Sequence, residues 1–357
     1  MKILFLIPYP LYESPSQRFR FEQYIEILKQ KGYQCTFQSF LNSQNWQLFF
    51  KSGKSLQKGL ALFSGFLRRV LALFQAPFFD FVFIHREAAP LGPPVFEWVI
   101  AKILHKKIIY DFDDAIWLTD RANESWLLKT MKWRTKVGAI CKWSYKVSAG
   151  NNYLCTYAQQ FNPAAVFNPT TIDTNELHNP HEFEKTETGT VTIGWTGSHS
   201  TLKYLVELEQ VLERIEQENP FLQILVIANQ PPVMKLKSLA FIPWSKQTET
   251  EDLLKIDIGI MPLPDDEWSK GKCGFKALQY MALEIPAVAS QVGANSVIID
   301  DGFNGYLCST SQQWYETLNL LIGDVALRKK IGNAGREKVI GCYSVESNTS
   351  TFLSLFA

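Results

Sequence analysis

Three aspartates stand within four positions, directly after an apolar run, in IIYDFDDAIW (residues 108–117). Asp111 and Asp113 form a DxD pattern, which can ligate a divalent cation. Such carboxylates can instead lie in a cleft, where they hold a hydroxyl group or stabilise developing positive charge. Asp113 or Asp114 can also cap a helix that we predict to begin at Ala115. Capping accounts for one aspartate but hardly for three.

His85, Arg86 and Glu87 follow another predicted strand, at residues 79–84. Catalytic groups gather at the carboxyl ends of strands in α/β sheets. A single histidine at such a place is more often structural than catalytic. The adjacent arginine and glutamate favour a functional cluster.

The loop after the first predicted strand leads into a predicted helix at 17–31. Free N–H groups at a helix start attract phosphate, and nearby guanidiniums strengthen the attraction. The alternative is an exposed first turn whose arginines pair with Glu13 or Glu22. The dinucleotide pattern GxGxxG is absent from this loop. The polar residues at the helix start are Ser14 and Ser16, which can cap it, and Gln17, Arg18 and Arg20 in its first turn.

In the second half of the chain, IGWTGSHSTLKYL predicts a strand, a small turn and a helix start. Gly197 allows the backbone to approach a ligand closely, and Ser198 adds a hydroxyl group. Lys203 is placed to reach an anion at the helix start. The alternative is a helix capped by serine or threonine, with its lysine in solvent.

A later glycine-containing loop offers the densest positive charge. It follows a predicted strand that ends at Leu263 and precedes a predicted helix at 275–283, which Phe275 opens. Gly271 and Gly274 free the backbone before that helix. N–H and ammonium groups therefore converge on one place, where a diphosphate would satisfy both. In an ordinary glycine-rich loop, the clustered lysines would only repel one another. They are Lys270, Lys272 and Lys276.

Short apolar runs alternate with longer helical segments, the pattern of parallel sheets with crossover helices. We predict an α/β protein with two Rossmann-like, doubly wound domains, 1–170 and 171–342, that face a central cleft where ligands bind. A C-terminal helix at 343–357 follows, and the sequence does not indicate where it docks. The predicted strands are 2–8, 33–39, 79–84, 107–111, 147–149, 165–167, 191–195, 222–228, 256–263, 286–290 and 305–309, with first-half helices near 17–31, 56–75, 93–105 and 123–146.

The net charge of +1 conceals an asymmetry between the two halves. Residues 1–170 hold 21 Lys and Arg against 11 Asp and Glu, a balance of +10, whereas 171–357 hold 15 against 24, a balance of −9. Domains of opposite charge indicate different partners. No recognised binding motif accompanies the basic half, so we predict no nucleic-acid partner.

The cysteines and apolar segments bear on location. The six cysteines show no CxxC pair and no metal-ligand spacing, which indicates a reduced, cytoplasmic protein. The N-terminal apolar run is too short for a signal peptide, and no stretch reaches the ~18 uncharged apolar residues of a membrane span.

Segments 51–79 and 126–146 mix basic and apolar residues, as helices on anionic bilayers do. The alternative is that both pack on the first domain, with their lysines solvated.

In their order, these segments resemble the family 4 glycosyltransferases of the GT-B fold, and the resemblance spans nearly the whole chain. It implies a retaining transfer of a sugar from a nucleotide diphosphate to an acceptor, without a metal or another cofactor. The segments that carry it are SPSQRFRFEQYIEILKQKGY, DFDDAIW, VSAGNNYLCTYA, FNPTTID, IGWTGSHSTLKYL and DIGIMPLPDDEWSKGKCGFKALQYMALEIPAVASQVGANSVI.

The resemblance assigns donor-binding roles. Gly197 matches the glycine of the family's first phosphate turn, and Lys203 matches its lysine. Ser198 replaces a usual arginine, and Lys272 or Lys276 can supply the lost charge. The remaining donor-side positions are Leu263, Gly274 and Phe275.

The resemblance also exposes a departure. Many members have two glutamates around the glycine loop, and this chain has Gly271 and Gln279 at those positions. Gln279 can still hydrogen-bond a ribose, whereas Gly271 cannot replace a carboxylate. The segment GKCGFKALQYMA looks like a coherent variant, which favours other groups for handling the sugar over loss of activity.

For the first half, we predict Asp113 as the catalytic carboxylate, supported by Asp111 or Asp114, with His85 nearby. The DxD metal site of GT-A glycosyltransferases is the alternative. The residues predicted on the acceptor side are Ser16, Gln17, Arg18, Arg86 and Glu87.

The predicted partners are a UDP- or GDP-sugar donor and a glycan or lipid-linked acceptor of cell-envelope polysaccharide or lipopolysaccharide synthesis. The predicted location is cytoplasmic, with peripheral contact to an anionic surface on the inner face of the cell membrane. Two other functions compete with this one: a GT-B nucleotide-sugar epimerase and a catalytically silent nucleotide-sugar-binding protein.

Overall fold

The chain folds into two compact units, Met1–Thr170 with Asn348–Ala357, and Thr171–Ser347. The computed structural model describes residues 1–51, 53–119, 124–183 and 189–357.

The first unit is built on a six-stranded parallel sheet. Its strands are β1 (Lys2–Ile7), β2 (Gln34–Ser39), β3 (Phe81–His85), β4 (Lys107–Phe112), β5 (Lys146–Ala149) and β6 (Ala165–Phe167). The order across the sheet is β2-β1-β3-β4-β5-β6, so it reverses between β1 and β3. All residues of β3 are buried, as expected of a parallel sheet covered on both faces.

The helices of this unit connect the strands. The described ones are α1 (Pro15–Arg18), α2 (Ile25–Gln30), α3 (Ser43–Phe49), α4 (Ser55–Gln75), α5 (Val95–Trp98), α6 (Trp126–Lys132), α7 (Lys136–Trp143) and α8 (Asn152–Gln159), with 3₁₀ turns at Glu22–Tyr24 and Ala76–Phe78 and a π-helical turn at Val99–Ile103.

The second unit repeats the plan. Its parallel strands are β7 (Val191–Gly197), β8 (Leu222–Ala228), β9 (Leu239–Pro243), β10 (Ile258–Met261), β11 (Ala287–Ser290) and β12 (Tyr306–Cys308), in the order β12-β11-β10-β7-β8-β9. The order reverses between β7 and β10, and ligands bind at such points in open α/β sheets.

The helices of the second unit follow the same alternation, and the last one runs into the segment that belongs to the first unit. They are α9 (Leu202–Val206), α10 (Glu209–Glu218), α11 (Glu249–Leu253), α12 (Glu267–Lys270), α13 (Phe275–Ala282), α14 (Asn295–Ile298), α15 (Ser311–Gly323), α16 (Val325–Cys342) and α17 (Val345–Ser354), with 3₁₀ turns at Pro180–Glu182 and His199–Thr201.

The predicted fold class, an α/β protein with two doubly wound parallel sheets, is confirmed. Strand β9 was not predicted, because its short apolar run ends in a proline and lies at a sheet edge, where the sequence signal is weak. The predicted strand 256–263 is shorter than expected, since Pro262 and Pro264 follow β10 and cannot donate to a ladder.

Three predicted helices are wrong in part. The helix 17–31 is broken, because Phe21 leaves the helical region with φ −134°. The helix 123–146 is interrupted at Trp133, which has φ +48°. No helix begins at Ala115, because residues 115–119 form turns and bends, so the predicted helix start for Asp113 or Asp114 to cap does not exist.

The C-terminal segment docks on the first unit through aromatic side chains. The ring of Phe352 stacks on Tyr24 with centroids 4.2 Å apart. Phe356 contacts Phe81 edge-on, at 5.7 Å. Residues 348–357 therefore complete the core of the first unit, a contact that the sequence did not indicate.

One described helical segment, Ser55–Phe78, is long and apolar enough to cross a membrane by length and composition alone. The core helix of a soluble protein passes the same test. Arg68 and Arg69 interrupt its apolar run, and Arg69 is fully buried in the first unit.

Candidate functional site

A chain of hydrogen bonds links three side chains where the strand order of the first unit reverses. His85 and Asp111 are paired positions at the ends of β3 and β4. The Nδ1 atom of His85 lies 2.7 Å from Oδ2 of Asp111, and its Nε2 atom lies 2.7 Å from Oγ of Ser16. Because the carboxylate only accepts, Nδ1 carries the proton and neutral Nε2 accepts from the Ser16 hydroxyl. The arrangement can take up a proton at His85.

Asp111 is held as a buried anion. Arg20 donates to one of its oxygens, and Ser148 donates to the same oxygen at 2.6 Å. Burial alone would raise the pKa of Asp111, but the charge of Arg20 and the hydrogen bonds that His85 and Arg20 donate outweigh it and hold that pKa well below its usual range. Asp111 therefore orients His85.

Asp113 and Asp114 form a second cluster with Arg86. The Arg86 Nε atom donates to Asp113 at 2.8 Å, and a terminal nitrogen donates to Asp114 at 2.6 Å. Burial opposes ionisation of Asp113, but Arg86 outweighs it and lowers the Asp113 pKa. Both carboxylates are partly exposed, and the lowered pKa of Asp113 keeps it ionised, as a group that stabilises a nearby cation must be.

Arg86 is fixed by its backbone as well. It has φ +61°, a conformation that non-glycine residues rarely adopt. Its N–H donates to the carbonyl of Asp111 at 2.7 Å, and its own carbonyl accepts from the Tyr110 hydroxyl at 2.7 Å. Its neighbour Glu87 is paired with Lys136 at 2.7 Å.

Gln17 and Arg20 do not face an anion site, contrary to the expectation for this loop. Gln17 is fully buried, and its Nε2 donates to the carbonyls of Tyr9 and Pro10 and to Glu22. Arg20 is directed into the unit, towards Asp111. The break in the predicted helix allows this inward turn.

Of the other residues predicted there, Ser14 makes no capping hydrogen bond. Arg18 is also buried, and its guanidinium lies 5.0 Å from the centre of the Phe19 ring. Ser16, one of the predicted acceptor-side residues of this loop, contacts His85.

In the second unit, the turn after β7 requires glycine. A Cβ atom at Gly197 would lie 2.5 Å from the ring of Trp195 and 2.9 Å from Oγ1 of Thr201. Ser198 and Ser200 share a hydrogen bond of 2.8 Å between their hydroxyl groups. Glycine at this position therefore allows the Trp195 ring and Thr201 to pack against the backbone of the turn.

The start of α13 meets this turn. Lys276 lies over the Trp195 ring, with its Nζ atom 5.4 Å from the ring centre. The Tyr280 hydroxyl accepts from the N–H of Thr196 at 3.0 Å, which ties α13 to β7. Gly274 precedes the helix with φ +68°. Lys276 thus lies beside Trp195 of β7, a residue that the sequence reasoning missed.

Each of the clustered lysines has an acidic or aromatic partner within the unit. Lys270 pairs with Glu267 at 2.9 Å, and Lys272 lies 4.7 Å from the centre of the Trp268 ring. Lys203, in the first turn of α9, lies 5.0 Å from the ring centre of Tyr204.

Two further residues that were predicted on the donor side make contacts within the unit. The N–H of Leu263 donates to Oγ of Ser290 at 2.8 Å in a buried bond, so it is engaged within the unit. Gln279 is buried, and its Nε2 lies 3.2 Å from Nε2 of His178 and 3.5 Å from Glu249. The amide nitrogen of Gln279 is thus engaged with polar groups within the unit.

Among the residues that the structure describes, no group of three or more His, Cys, Asp or Glu is placed to hold a metal ion. The three aspartates of the opening motif are divided between Arg20 and Arg86.

A family model and several solved structures are similar to this chain. Residues 190–338, most of the second unit, match the family model of glycosyl transferases group 1. No curated protein sequence matched the chain.

Solved structures share the whole fold. Sucrose-phosphate synthase from Thermosynechococcus elongatus is similar with a TM-score of 0.73 and 12% identity, over 100% of this chain and 98% of that one. HepE of Anabaena, in complex with UDP and glucose, has a TM-score of 0.67 and 14% identity, over 99% and 98%. A glycosyltransferase from Rickettsia africae has a TM-score of 0.68 and 13% identity, over 99% and 97%. The fold is that of these GT-B proteins.

Proposed function

We propose that this chain is a retaining glycosyltransferase of family 4 that moves a sugar from a UDP- or GDP-sugar to a hydroxyl group of a glycan or lipid-linked acceptor. The observation that carries the proposal is the position of Lys276 over Trp195, beside the Gly197 turn, inside the segment that matches glycosyl transferases group 1. A diphosphate suits this place, because it brings together an ammonium group, the backbone N–H groups of a glycine turn and a helix start.

In the proposed reaction, Lys203 and Lys276 bind the diphosphate together with N–H groups of the Gly197 turn and of the first turn of α13. As the bond between sugar and diphosphate breaks, negative charge grows on the leaving phosphate. Fixed N–H groups and ammonium groups stabilise that charge. No metal takes part in this scheme, since basic side chains supply the charge that a cation would supply.

The acceptor loses a proton as its oxygen attacks the sugar. An acceptor hydroxyl that donates to Ser16 would let the Ser16 proton pass to Nε2 of His85. Asp111 then stabilises the imidazolium that forms. Asp113, kept ionised by Arg86, stabilises positive charge at the anomeric carbon.

The positive charge of the first unit supports a proposal for the acceptor and for the location of the protein. The basic first unit suits an anionic, lipid-linked acceptor or an anionic surface, with the catalyst on the cytoplasmic side of the cell membrane. We therefore propose a role in cell-envelope polysaccharide or lipopolysaccharide synthesis.

A silent nucleotide-sugar-binding protein is the second candidate. Two observations favour it: Gly271 has no carboxylate, and Gln279 is engaged with His178. Release of free nucleoside diphosphate from the donor separates the two, because a binding protein releases none.

The donor is tested first by thermal shift with UDP-, GDP-, CMP- and ADP-sugars, since a ligand that binds the folded state raises its apparent stability. We expect one nucleotide class to raise the melting temperature. Lys276→Ala should weaken that donor about 10- to 100-fold. Lys330→Ala, an exposed lysine of α16, is the control. If no nucleotide sugar shifts the wild-type protein, or if Lys276→Ala binds normally, the proposed donor site is wrong.

A further inference from the structure

Helix α4 presents many of its large apolar side chains to solvent, while small residues, together with Leu62 and Phe66, face the first unit. The buried positions include Ala61, Gly65 and Ala72. An added Cβ at Gly65 would lie 2.4 Å from the Phe40 ring, so this face is in close contact. The exposed large side chains recur at helical spacing and form what we term the apolar stripe: Leu56, Leu60, Phe63, Leu67, Val70, Leu71 and Phe74.

The stripe cannot turn inwards. Arg69, on the opposite face, donates to the carbonyls of Ile7 at 2.7 Å, Gln38 at 2.9 Å and Ala88 at 2.5 Å. Rotating α4 would leave this buried guanidinium and three carbonyls without partners, which is strongly unfavourable. The helix is therefore fixed with its apolar stripe outwards.

The stripe is large for the surface of a soluble protein. At 1.5 Å per residue, it extends about 27 Å from Leu56 to Phe74. Extended apolar patches of this kind mark interaction surfaces, because water exposure of so many large side chains is costly.

Positive charge surrounds the stripe. Residues 27–79 contain seven Lys and Arg and no Asp or Glu. Lys51 and Lys54 are exposed just before α4. At the other end, Lys106 donates to the carbonyls of Pro77 and Phe79. Both ends of the stripe are thus basic.

We propose that the apolar stripe docks on an anionic phospholipid surface, with α4 lying in the plane of the interface. Apolar side chains enter the acyl region while the lysines meet the headgroups. A second copy of the chain is a poorer partner, since two identical basic faces would repel. A transmembrane position is excluded by the bonds of Arg69 to the folded unit. The inference does not depend on the transferase proposal.

The test uses the full chain and vesicles of phosphatidylcholine with and without phosphatidylglycerol, in a sedimentation assay. We expect binding to the anionic vesicles, weakened by salt. Phe63→Gln/Phe74→Gln should reduce it about 10-fold or more. The matched control is Phe221→Gln/Phe303→Gln in the second unit, because Phe63 and Phe74 are 63% and 72% exposed and these are 75% and 64% exposed. The control should bind as the wild type does.

Charge is tested separately. Lys51→Gln/Lys54→Gln should weaken binding to anionic vesicles, whereas Lys329→Gln/Lys330→Gln on α16 should not. Unchanged melting temperatures establish that the variants fold. The proposal is overturned if the phenylalanine variant binds vesicles normally. It is also overturned if the wild type is a lipid-free dimer that this variant dissociates, because the stripe is then an interface between copies.

Discussion

The imidazole of His85 and the carboxylate of Asp111 are joined by a 2.7 Å hydrogen bond between two fully buried side chains, at paired ends of neighbouring strands. The bond leaves Nε2 of His85 facing the half-buried hydroxyl of Ser16. The buried Asp111 thus orients His85, whose other ring nitrogen reaches the more accessible Ser16.

This relationship predicts the effect of Asp111→Asn. An amide can donate to Nδ1 and so move the imidazole proton to Nε2, which then no longer accepts from Ser16. We expect the turnover rate to fall about 100-fold or more, with little change in donor KM. Nucleoside diphosphate release measures both. Ser148→Ala, which removes another hydrogen bond to Asp111 and keeps the one to His85, should have a smaller effect. Equal losses in the two variants would contradict the orienting role.

Asp111 also predicts acid sensitivity. Its folded-state pKa is lowered by Arg20 and His85 to below that of an unfolded aspartate, about 3.9. Such a group contributes stability at a pH above its unfolded pKa, and this stability is lost as the pH falls through that value towards the folded pKa. The stability lost in Asp111→Asn should therefore be greatest near neutral pH and shrink below about pH 4. Urea unfolding at several pH values measures it, and a difference that is constant with pH would contradict the prediction.

Asp113→Asn separates a catalytic carboxylate from a metal ligand. We expect the turnover rate to fall about 100-fold or more, since a charge beside the reacting carbon is lost. Activity of the wild type should persist in EDTA. Asp114→Asn, which removes the other partner of Arg86, is the control and should retain more activity. Loss of wild-type activity in EDTA would instead support the DxD metal site, and an active Asp113→Asn enzyme would contradict the catalytic role of Asp113.

The variant Gly197→Ala tests whether the Gly197 turn binds the donor. The added methyl group would lie 2.5 Å from the Trp195 ring, so the ring or the turn must move. We expect donor binding to weaken about 10-fold or more, because backbone N–H groups are displaced. Gly341→Ala, whose Cβ would meet no atom within 4 Å, is the control and should bind the donor normally. Thermal shift with the identified nucleotide sugar checks both.

Individual segments show which strands and turns could be predicted from the sequence. Apolar runs such as VTIGW and FVFIH indicated buried strands, because a parallel sheet covered on both faces needs continuous hydrophobic segments. Gly197 and Gly274 marked the two turns of the second unit correctly. Strand β9 was missed, since a short edge strand ending in proline resembles a loop in sequence.

The partners of charged residues could not be predicted in the same way. Arg20 was expected in an outward first turn, and the structure pairs it with Asp111, 91 positions away. Gln17 and Gln279 were expected at ligands, and both are buried within their units.

Local composition by itself determined the strands, the glycine turns and the two-unit α/β plan, because these depend on hydrophobic runs and on backbone freedom within a few residues. The tertiary structure decided which charges meet. The pairing of His85 with Asp111, and of Lys276 with Trp195, depends on strand order, register and helix rotation. Those are properties of packing between segments distant in sequence, and no short stretch of the chain encodes them.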